Sequence, residues 1–394
     1  MHIPFTTVIY LAAIFILLVV PRALQRFRLP SQLTCFVLGI VAAIFYKPLV
    51  GDKVGTAVST FGIASLFLLA GLEVDLVELR KQLPRLSAYL GTRALFLGGI
   101  AWLAIRYWHM PWQPAWLLAL GLMTPSTGFI LDTLPHSGLT TEEQSEVTMN
   151  AISGEIMALL VLFIVSQASS MVTLAVSGSI LLVLIVLTPF LFLFLGKYVV
   201  PYAPGSEFSL LLMVGIICAV ITQNIGVHYL IGAFIAGLVA GLLRTRMETL
   251  ASRENLEAVR LFASFFIPFY FFHEGLDVPS DALVLKSLLY GAVISIVMIP
   301  VRISKNWLEA RFISHRTNQG AFRVSIALVP TLIFTLVIAS MLRETFHIED
   351  ALYGGLLIYA AVTTILPSLV LPGLKIASDV QDPAPVEPES TAAI

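Results

Sequence analysis

The stretch WLLALGLMTPSTGFILDT, residues 116–133, decides the fold. It has the composition of a membrane-spanning helix, and Thr124-Pro125-Ser126-Thr127 interrupts it near its middle. A proline within a span removes one backbone donor and frees a carbonyl, and in lipid such groups need another partner. The stretch therefore predicts a broken helix beside a cavity, to which Thr124, Ser126 and Thr127 add hydroxyl oxygens. A simple proline kink packed by neighbouring helices is the alternative.

The composition of the whole chain is that of a membrane protein. Of 394 residues, 58% are hydrophobic and only 12% are charged, and the mean hydropathy is +0.92. Soluble domains carry roughly 25% charged residues. The net charge of −1 leaves no basic face for nucleic acid. The two cysteines, Cys35 and Cys218, lie in apolar runs, so we expect no disulfide framework, no metal cluster and no cofactor.

Thirteen apolar segments are long enough to cross about 30 Å of hydrocarbon. We place them near residues 5–20, 31–46, 56–74, 87–107, 115–133, 147–167, 172–195, 207–223, 228–243, 261–275, 283–303, 317–341 and 350–371. Lys and Arg concentrate on one set of alternate loops, around 22–28, 80–85, 197, 244–260 and 305–316. The positive-inside rule then predicts an N-terminus outside the cell and a cytoplasmic C-terminus, in the inner membrane.

The order of the spans is compatible with inverted-topology repeats. Repeat one covers 5–167, a linker helix covers 172–195, and repeat two covers 207–371, because an odd linker reverses the direction of the second six spans. A second break, Val329-Pro330-Thr331, falls in the fifth span of repeat two, as Pro125 falls in the fifth span of repeat one. This correspondence favours a site between the two breaks. One transmembrane domain, 1–376, would precede a disordered cytoplasmic tail, 377–394, which is rich in Pro, Glu and Ser.

Span six, VTMNAISGEIMALLVLFIVSQ at 147–167, carries the candidate carboxylate Glu155. A carboxylate in the middle of a span raises the free energy of membrane insertion by about 3 kcal/mol, so its presence indicates a functional role. Either a proton or a desolvated cation can neutralise it in a poorly solvated cavity. Asn150 and Ser153 are near on the helix and could add oxygen contacts, although helix packing explains them nearly as well.

Span eleven carries a second candidate charge, Arg302. It could pair with a carboxylate or neutralise helix C-terminal ends, and snorkelling to the cytoplasmic interface is the alternative. A guanidinium keeps its proton, so it cannot serve as a second proton carrier. One titrating carboxylate then predicts one proton per cation.

Several segments in order resemble the monovalent cation:proton antiporter-2 family, which includes sodium/proton antiporters and the membrane domain of Kef-type potassium efflux proteins. They are LFLLAGLEVDL at 66–76, TPST at 124–127, LIGAFIAGLVAGL from Leu230, and FFIPFYFFHEGLDV at 265–278. The resemblance extends over about Phe5 to Pro372. It implies two crossed, broken helices, a core domain that moves in an elevator-like cycle, and a homodimer. It also implies that Glu155 is the ion-binding carboxylate, with Gly154 where the family usually has a polar residue, and that Arg302 is the basic residue of the late span.

The leading hypothesis is an antiporter that exchanges Na⁺ or K⁺ for H⁺ electroneutrally. Glu155 would bind both ions in turn, and membrane lipid would surround the protein. Sodium-coupled uptake of an organic anion and a non-transporting sensor on the same fold are the alternatives. A channel would need a continuous polar pore. An enzyme would need a nucleophile and base or a metal-ligand set, and the sequence has no HExxH or GxSxG motif.

Overall fold

A computed structural model describes residues 5–45, 51–74, 76–203, 205–243 and 252–371. The predicted tail, 377–394, lies outside these residues. Besides short 3-10 turns, the regular elements of the described residues are sixteen α-helices. They are α1 Phe5–Gln25, α2 Ser31–Phe45, α3 Lys53–Leu72, α4 Leu76–Lys81, α5 Leu83–Trp108, α6 Trp112–Met123, α7 Thr127–Thr133, α8 Thr141–Gln167, α9 Met171–Tyr198, α10 Glu207–Asn224, α11 Tyr229–Leu242, α12 Arg253–Leu276, α13 Leu285–Phe312, α14 Asn318–Ala327, α15 Leu332–Phe346 and α16 Asp350–Val370.

The predicted all-helical, polytopic class is confirmed. Among the described residues, nine helical stretches are long and apolar enough to cross a membrane, and the α6–α7 pair counts as one of them. The α14–α15 pair, bent by 46°, gives a tenth. Three shorter apolar helices, Tyr10–Gln25, Ser31–Phe45 and Tyr229–Leu242, match the remaining predicted spans. The count of thirteen crossings stays a prediction.

The helices extend beyond the apolar segments that predicted them. α8 begins at Thr141 rather than near 147, because Thr140 and Glu143 form a capping box at its start. Its first turns are polar, so hydrophobicity alone does not detect them. α13 likewise continues to Phe312, nine residues past the predicted end of span eleven at 303.

The helices pack as two groups. Group A contains α1, α2, α3, α10, α11 and α12, and group B contains α5, α6, α7, α8, α13, α14, α15 and α16. Glycines allow close contact within group A: a Cβ on Gly71 of α3 would lie 2.3 Å from the Phe234 carbonyl of α11, and one on Gly237 would lie 2.0 Å from that of Leu68. Small residues of this kind let membrane helices approach closely. Both broken helices belong to group B.

Candidate ion-binding site

The two broken helices meet at their breaks. The Ser126 amide, between α6 and α7, donates to the Pro330 carbonyl between α14 and α15, over 2.8 Å. The Ile333 amide donates in return to Ser126 Oγ, also over 2.8 Å. Each unwound segment therefore supplies the hydrogen-bond partners that the other lost by leaving the helix. The sequence predicted both breaks, and their mutual contact is the structural reason why they occur as a pair.

The carbonyls freed by the first break also have partners. Pro125 has no N–H to donate to Gly121, and the Thr335 hydroxyl donates to the Gly121 carbonyl instead, over 2.7 Å. The next carbonyl, that of Leu122, accepts from the Tyr359 hydroxyl over 2.7 Å. These contacts hold α6 against α15 and α16, so the break has a fixed geometry.

Arg302 lies where the C-terminal ends of two half-helices converge. Its Nη1 donates to the Leu122 carbonyl at the end of α6, and its Nη2 donates to the Leu328 carbonyl at the end of α14, both over 2.8 Å. The side chain is only 2% exposed, which contradicts the snorkelling alternative. Carbonyl ends of helices carry partial negative charge, so the guanidinium neutralises two of them at once. The hypothesis that Arg302 compensates helix ends fits this geometry.

Glu155 lies on α8 beside the start of α7. It is 3% exposed, and the Thr127 hydroxyl lies close to its carboxylate. Thr127 Oγ1 also donates to the Ala151 carbonyl, one turn before Glu155, over 3.2 Å. The predicted carboxylate and a predicted hydroxyl oxygen of the break are thus brought together.

The other predicted oxygen donors have different surroundings. Thr124 is buried in the break, and Ser126 Oγ already accepts from Ile333. Ser153 Oγ donates to the Asn150 carbonyl over 2.7 Å. The Asn150 amide is already engaged by other side chains: its oxygen accepts from Arg93 of α5, and its nitrogen donates to Glu309 of α13, both over 2.8 Å.

A buried charge network behind the site was missed by sequence reasoning. Lys305 and Glu309, each 2% exposed, form an ion pair of 2.7 Å on α13, and Asn150 joins this pair to Arg93. Arg93 carried a readable signal, because it is an ionisable residue within an apolar span. Lys305 and Glu309 carried none, since span eleven was predicted to end at 303. Their spacing of four residues lets them neutralise each other inside the protein.

A cavity of about 250 Å³ leads from the protein surface to the second break. It lies between the two helix groups. Its lining comes from the α1–α2 connection, including Arg28 and Ser31, from Ile130 and Asp132 of α7, from Pro330, and from Thr364 and Pro367 of α16. The cavity gives a route from one side of the protein to the region of the breaks.

An acidic side chain stands near this cavity at the end of α3. Glu73 pairs with Arg260 of α12 over 2.9 Å and is close enough to feel the charge of Asp132. This ion pair joins the end of α3 to α12 beside the cavity.

The sequence model for the transmembrane region of sodium/hydrogen exchangers matches residues 11–376 of this chain. The chain belongs to the sodium/hydrogen exchanger family. The Na⁺/H⁺ antiporter of Enterococcus hirae is 26% identical over 331 residues, which cover 79% of this chain and 83% of that protein. A probable Na⁺/H⁺ antiporter 3 of Methanocaldococcus jannaschii is 21% identical over 383 residues, covering 94% and 96%.

This exchanger-family chain also shares its fold with a solved structure. The sodium proton antiporter MjNhaP1 from Methanocaldococcus jannaschii, at pH 8, superposes with a TM-score of 0.68 at 14% identity, covering 93% of this chain and 95% of that one. The predicted membership in a cation:proton antiporter family and the multi-pass membrane character are confirmed. The antiporter-2 branch and the Kef-type resemblance within it stay predictions.

Proposed function

We propose that this chain exchanges a monovalent cation, Na⁺ or K⁺, for H⁺ across the inner membrane, with Glu155 as the group that both ions share. The observation that carries the proposal is a buried carboxylate beside a break whose backbone is held open by hydrogen bonds to a second break. The relatives are described as Na⁺/H⁺ antiporters, which supports this assignment. In the cation-loaded state, oxygens of Thr124, Ser126 and Thr127 complete the shell around the ion.

The proposed exchange is electroneutral, with one proton per cation. Glu155 is neutral as an acid and neutral again when it binds Na⁺ or K⁺, so the site carries the same charge in both directions. The Arg302 guanidinium keeps its proton throughout. Lys305 and Glu309 neutralise each other in a buried ion pair, which supports a net charge from these two residues that does not change during exchange.

Proton flux in proteoliposomes tests the proposal. With a pH dye inside, addition of external Na⁺ or K⁺ should raise the internal pH, because each cation that enters expels one proton. Choline is the control cation and should give no response. A current evoked by the cation on a solid-supported membrane would contradict one-for-one exchange. Absence of any cation response would favour sodium-coupled organic anion uptake or a sensor.

We further propose alternating access by an elevator-type movement of group B against group A within a homodimer. The pairing of two breaks within group B supports a group that moves as one body with its ion. With the N-terminus outside and the C-terminus in the cytoplasm, the cavity beside Asp132 opens to the cytoplasm. The outward-open state would follow from the symmetry between the two inverted repeats, 5–167 and 207–371, which the linker helix 172–195 joins. In that state, the two repeats would exchange their conformations.

On the far side of the protein, a hydrogen bond joins the two groups. Ser340 Oγ of α15 donates to Glu274 Oε2 of α12 over 3.2 Å. On α12, Glu274 lies about 21 Å beyond Arg260, the residue that pairs with Glu73 at the cavity end, at 1.5 Å per residue. If the outward-open state requires group B to move, this contact has to separate in every cycle.

Covalent linkage of positions 274 and 340 should therefore stop transport. A glutamate is longer than a cysteine, so Glu274→Cys with Ser340→Cys needs a short bis-methanethiosulfonate linker rather than a direct disulfide. In a background without Cys35 and Cys218, the linker should reduce cation-driven proton flux by roughly tenfold or more, since a locked gate blocks each turnover. A thiol reductant should restore the flux.

The matched control links two helices of group B on the same side of the protein. Lys286 at the start of α13 and Glu349 before α16 form an ion pair, and both side chains are about half exposed. Cysteines at these two positions should accept the same linker with little change in flux. Equal inhibition of both pairs would contradict the proposed movement between groups.

A further inference from the structure

Arg93 is a buried cation whose hydrogen-bonding capacity is only partly used. It is 3% exposed, and its Nη2 donates to Asn150 Oδ1. Its Nε and Nη1 are buried and have no hydrogen-bond partner among the described residues. The nearby Glu309 carboxylate is already paired with Lys305, so the network holds two cations for one carboxylate. Arg93 is the cation without a carboxylate of its own, and an ionisable residue within a membrane domain usually has a function.

The guanidinium occupies the space that belongs to the side chain of residue 154. A Cβ built on Gly154 would lie 1.5 Å from Arg93 Nη1 and 2.7 Å from its Cζ. The same Cβ would lie 3.0 Å from Pro125 Cδ in the first break. Only glycine leaves this volume free, because contacts below about 3.0 Å force one of the partners to move. Gly154 and Arg93 therefore fit together as a pair.

This position places a positive charge against the backbone of α8 one residue before Glu155, and beside the first break. Gly154 immediately precedes Glu155 in α8, and a guanidinium carries a positive charge at physiological pH. In a poorly solvated interior, a nearby cation opposes the binding of a second cation much more strongly than it does in water. Arg93 is thus placed to weaken the hold of Glu155 on its transported ion.

We propose that Arg93 is a positioning residue of the exchange site: its guanidinium replaces the side chain that residue 154 lacks and sets the affinity of Glu155 for the cation. This inference rests on the proposed role of Glu155. Weaker binding of the cation favours its release on each side of the membrane. The charge of Arg93 therefore lowers the affinity for the cation and raises the turnover rate. The Gly154-Glu155 pair and Arg93 then form one functional unit, although Arg93 comes from a different helix.

The charge component is tested by the KM for Na⁺ at alkaline pH, where protons compete least. Arg93→Gln keeps a shorter polar group but removes the charge, and it should lower the KM about threefold to tenfold. Arg93→Lys keeps the charge and should leave the KM within about twofold of wild type. A purely structural role would move the maximal rate or the yield in both variants and leave the KM alone. Equal KM values in Arg93→Gln and wild type would overturn the proposal.

The steric component is tested by exchanging the two partners. Gly154→Ala alone should reduce flux and thermal stability, because its methyl group collides with Nη1. Arg93→Gln in the same chain withdraws the colliding atoms and should restore a large part of both. If Gly154→Ala does not fold, recovery of folded protein in the double variant is the readout. A double variant no better than Gly154→Ala would overturn the shared-space geometry.

These outcomes remain distinguishable from failure of the proposed exchange function. Thermal stability reports the steric rescue without any transport measurement. If Glu155→Gln still exchanged cations, the role of Glu155 would fall, while rescue of stability by Arg93→Gln would still establish the pairing with Gly154. If Glu155→Gln were inactive and the Arg93 variants left the KM unchanged, only the proposed role of Arg93 would fall.

Discussion

Glu155→Gln should lower Na⁺-driven proton flux by roughly 100-fold or more, to the leak of protein-free vesicles, because an amide can neither release a proton nor neutralise a cation. The substitution preserves size and polarity, so the buried site should still fold. Wild-type protein should gain about 2.7 kcal/mol of stability at a Na⁺ concentration of 100 times Kd, since the ion binds only the folded state. The variant should lose this gain, and thermal unfolding with and without Na⁺ measures it.

Two controls accompany this prediction. Glu155→Asp keeps the carboxylate one methylene further back and should retain exchange with an altered KM. Glu142→Gln removes a carboxylate from the first turn of the same helix, where the side chain is 80% exposed, and should leave flux within about twofold. Full exchange by Glu155→Gln would transfer the carrier role to another carboxylate, such as Asp132 in the cavity wall.

Sequence reasoning reached the architecture because hydrophobicity and helix breaking are local properties. The stretch 116–133 shows an apolar span and its break directly, and 329–331 shows the second break. The membrane leaves few structures for such segments, since backbone groups must be satisfied within helices. Helix ends were harder to predict from the sequence, because the polar first turn of α8 and the last turns of α13 lie beyond the apolar segments.

Only half of the site could be predicted from the sequence, because residues that contact each other there come from distant positions in the chain. Glu155 stands out in an otherwise apolar span, and Thr127 is identified by the break beside it. No pattern within a single helix shows that Arg93 fills the space above Gly154. The expectation that Asn150 helps to bind the cation illustrates the same limit, because helical proximity to Glu155 does not reveal that its amide is already engaged by Arg93 and Glu309.

Arg302→Leu should destabilise the protein by about 1–3 kcal/mol. The Leu328 carbonyl loses the guanidinium, and Leu122 keeps only Tyr359. Removing a buried guanidinium also relieves its desolvation cost. The Leu328 carbonyl remains in the interior without a side-chain donor, however, and an unsatisfied buried carbonyl costs about 1–3 kcal/mol.

Arg302→Lys separates charge from geometry at this position. An ammonium is a point charge without the planar fork that reaches two carbonyls at once, so we expect an intermediate loss of stability. Arg311→Ala, on an exposed position of the same helix, is the control and should change stability by no more than about 0.5 kcal/mol. Thermal unfolding in detergent, followed by tryptophan fluorescence, measures all three. A stable Arg302→Leu protein would mean that water or lipid can satisfy the half-helix ends, and the breaks would then owe their geometry to their mutual hydrogen bonds alone.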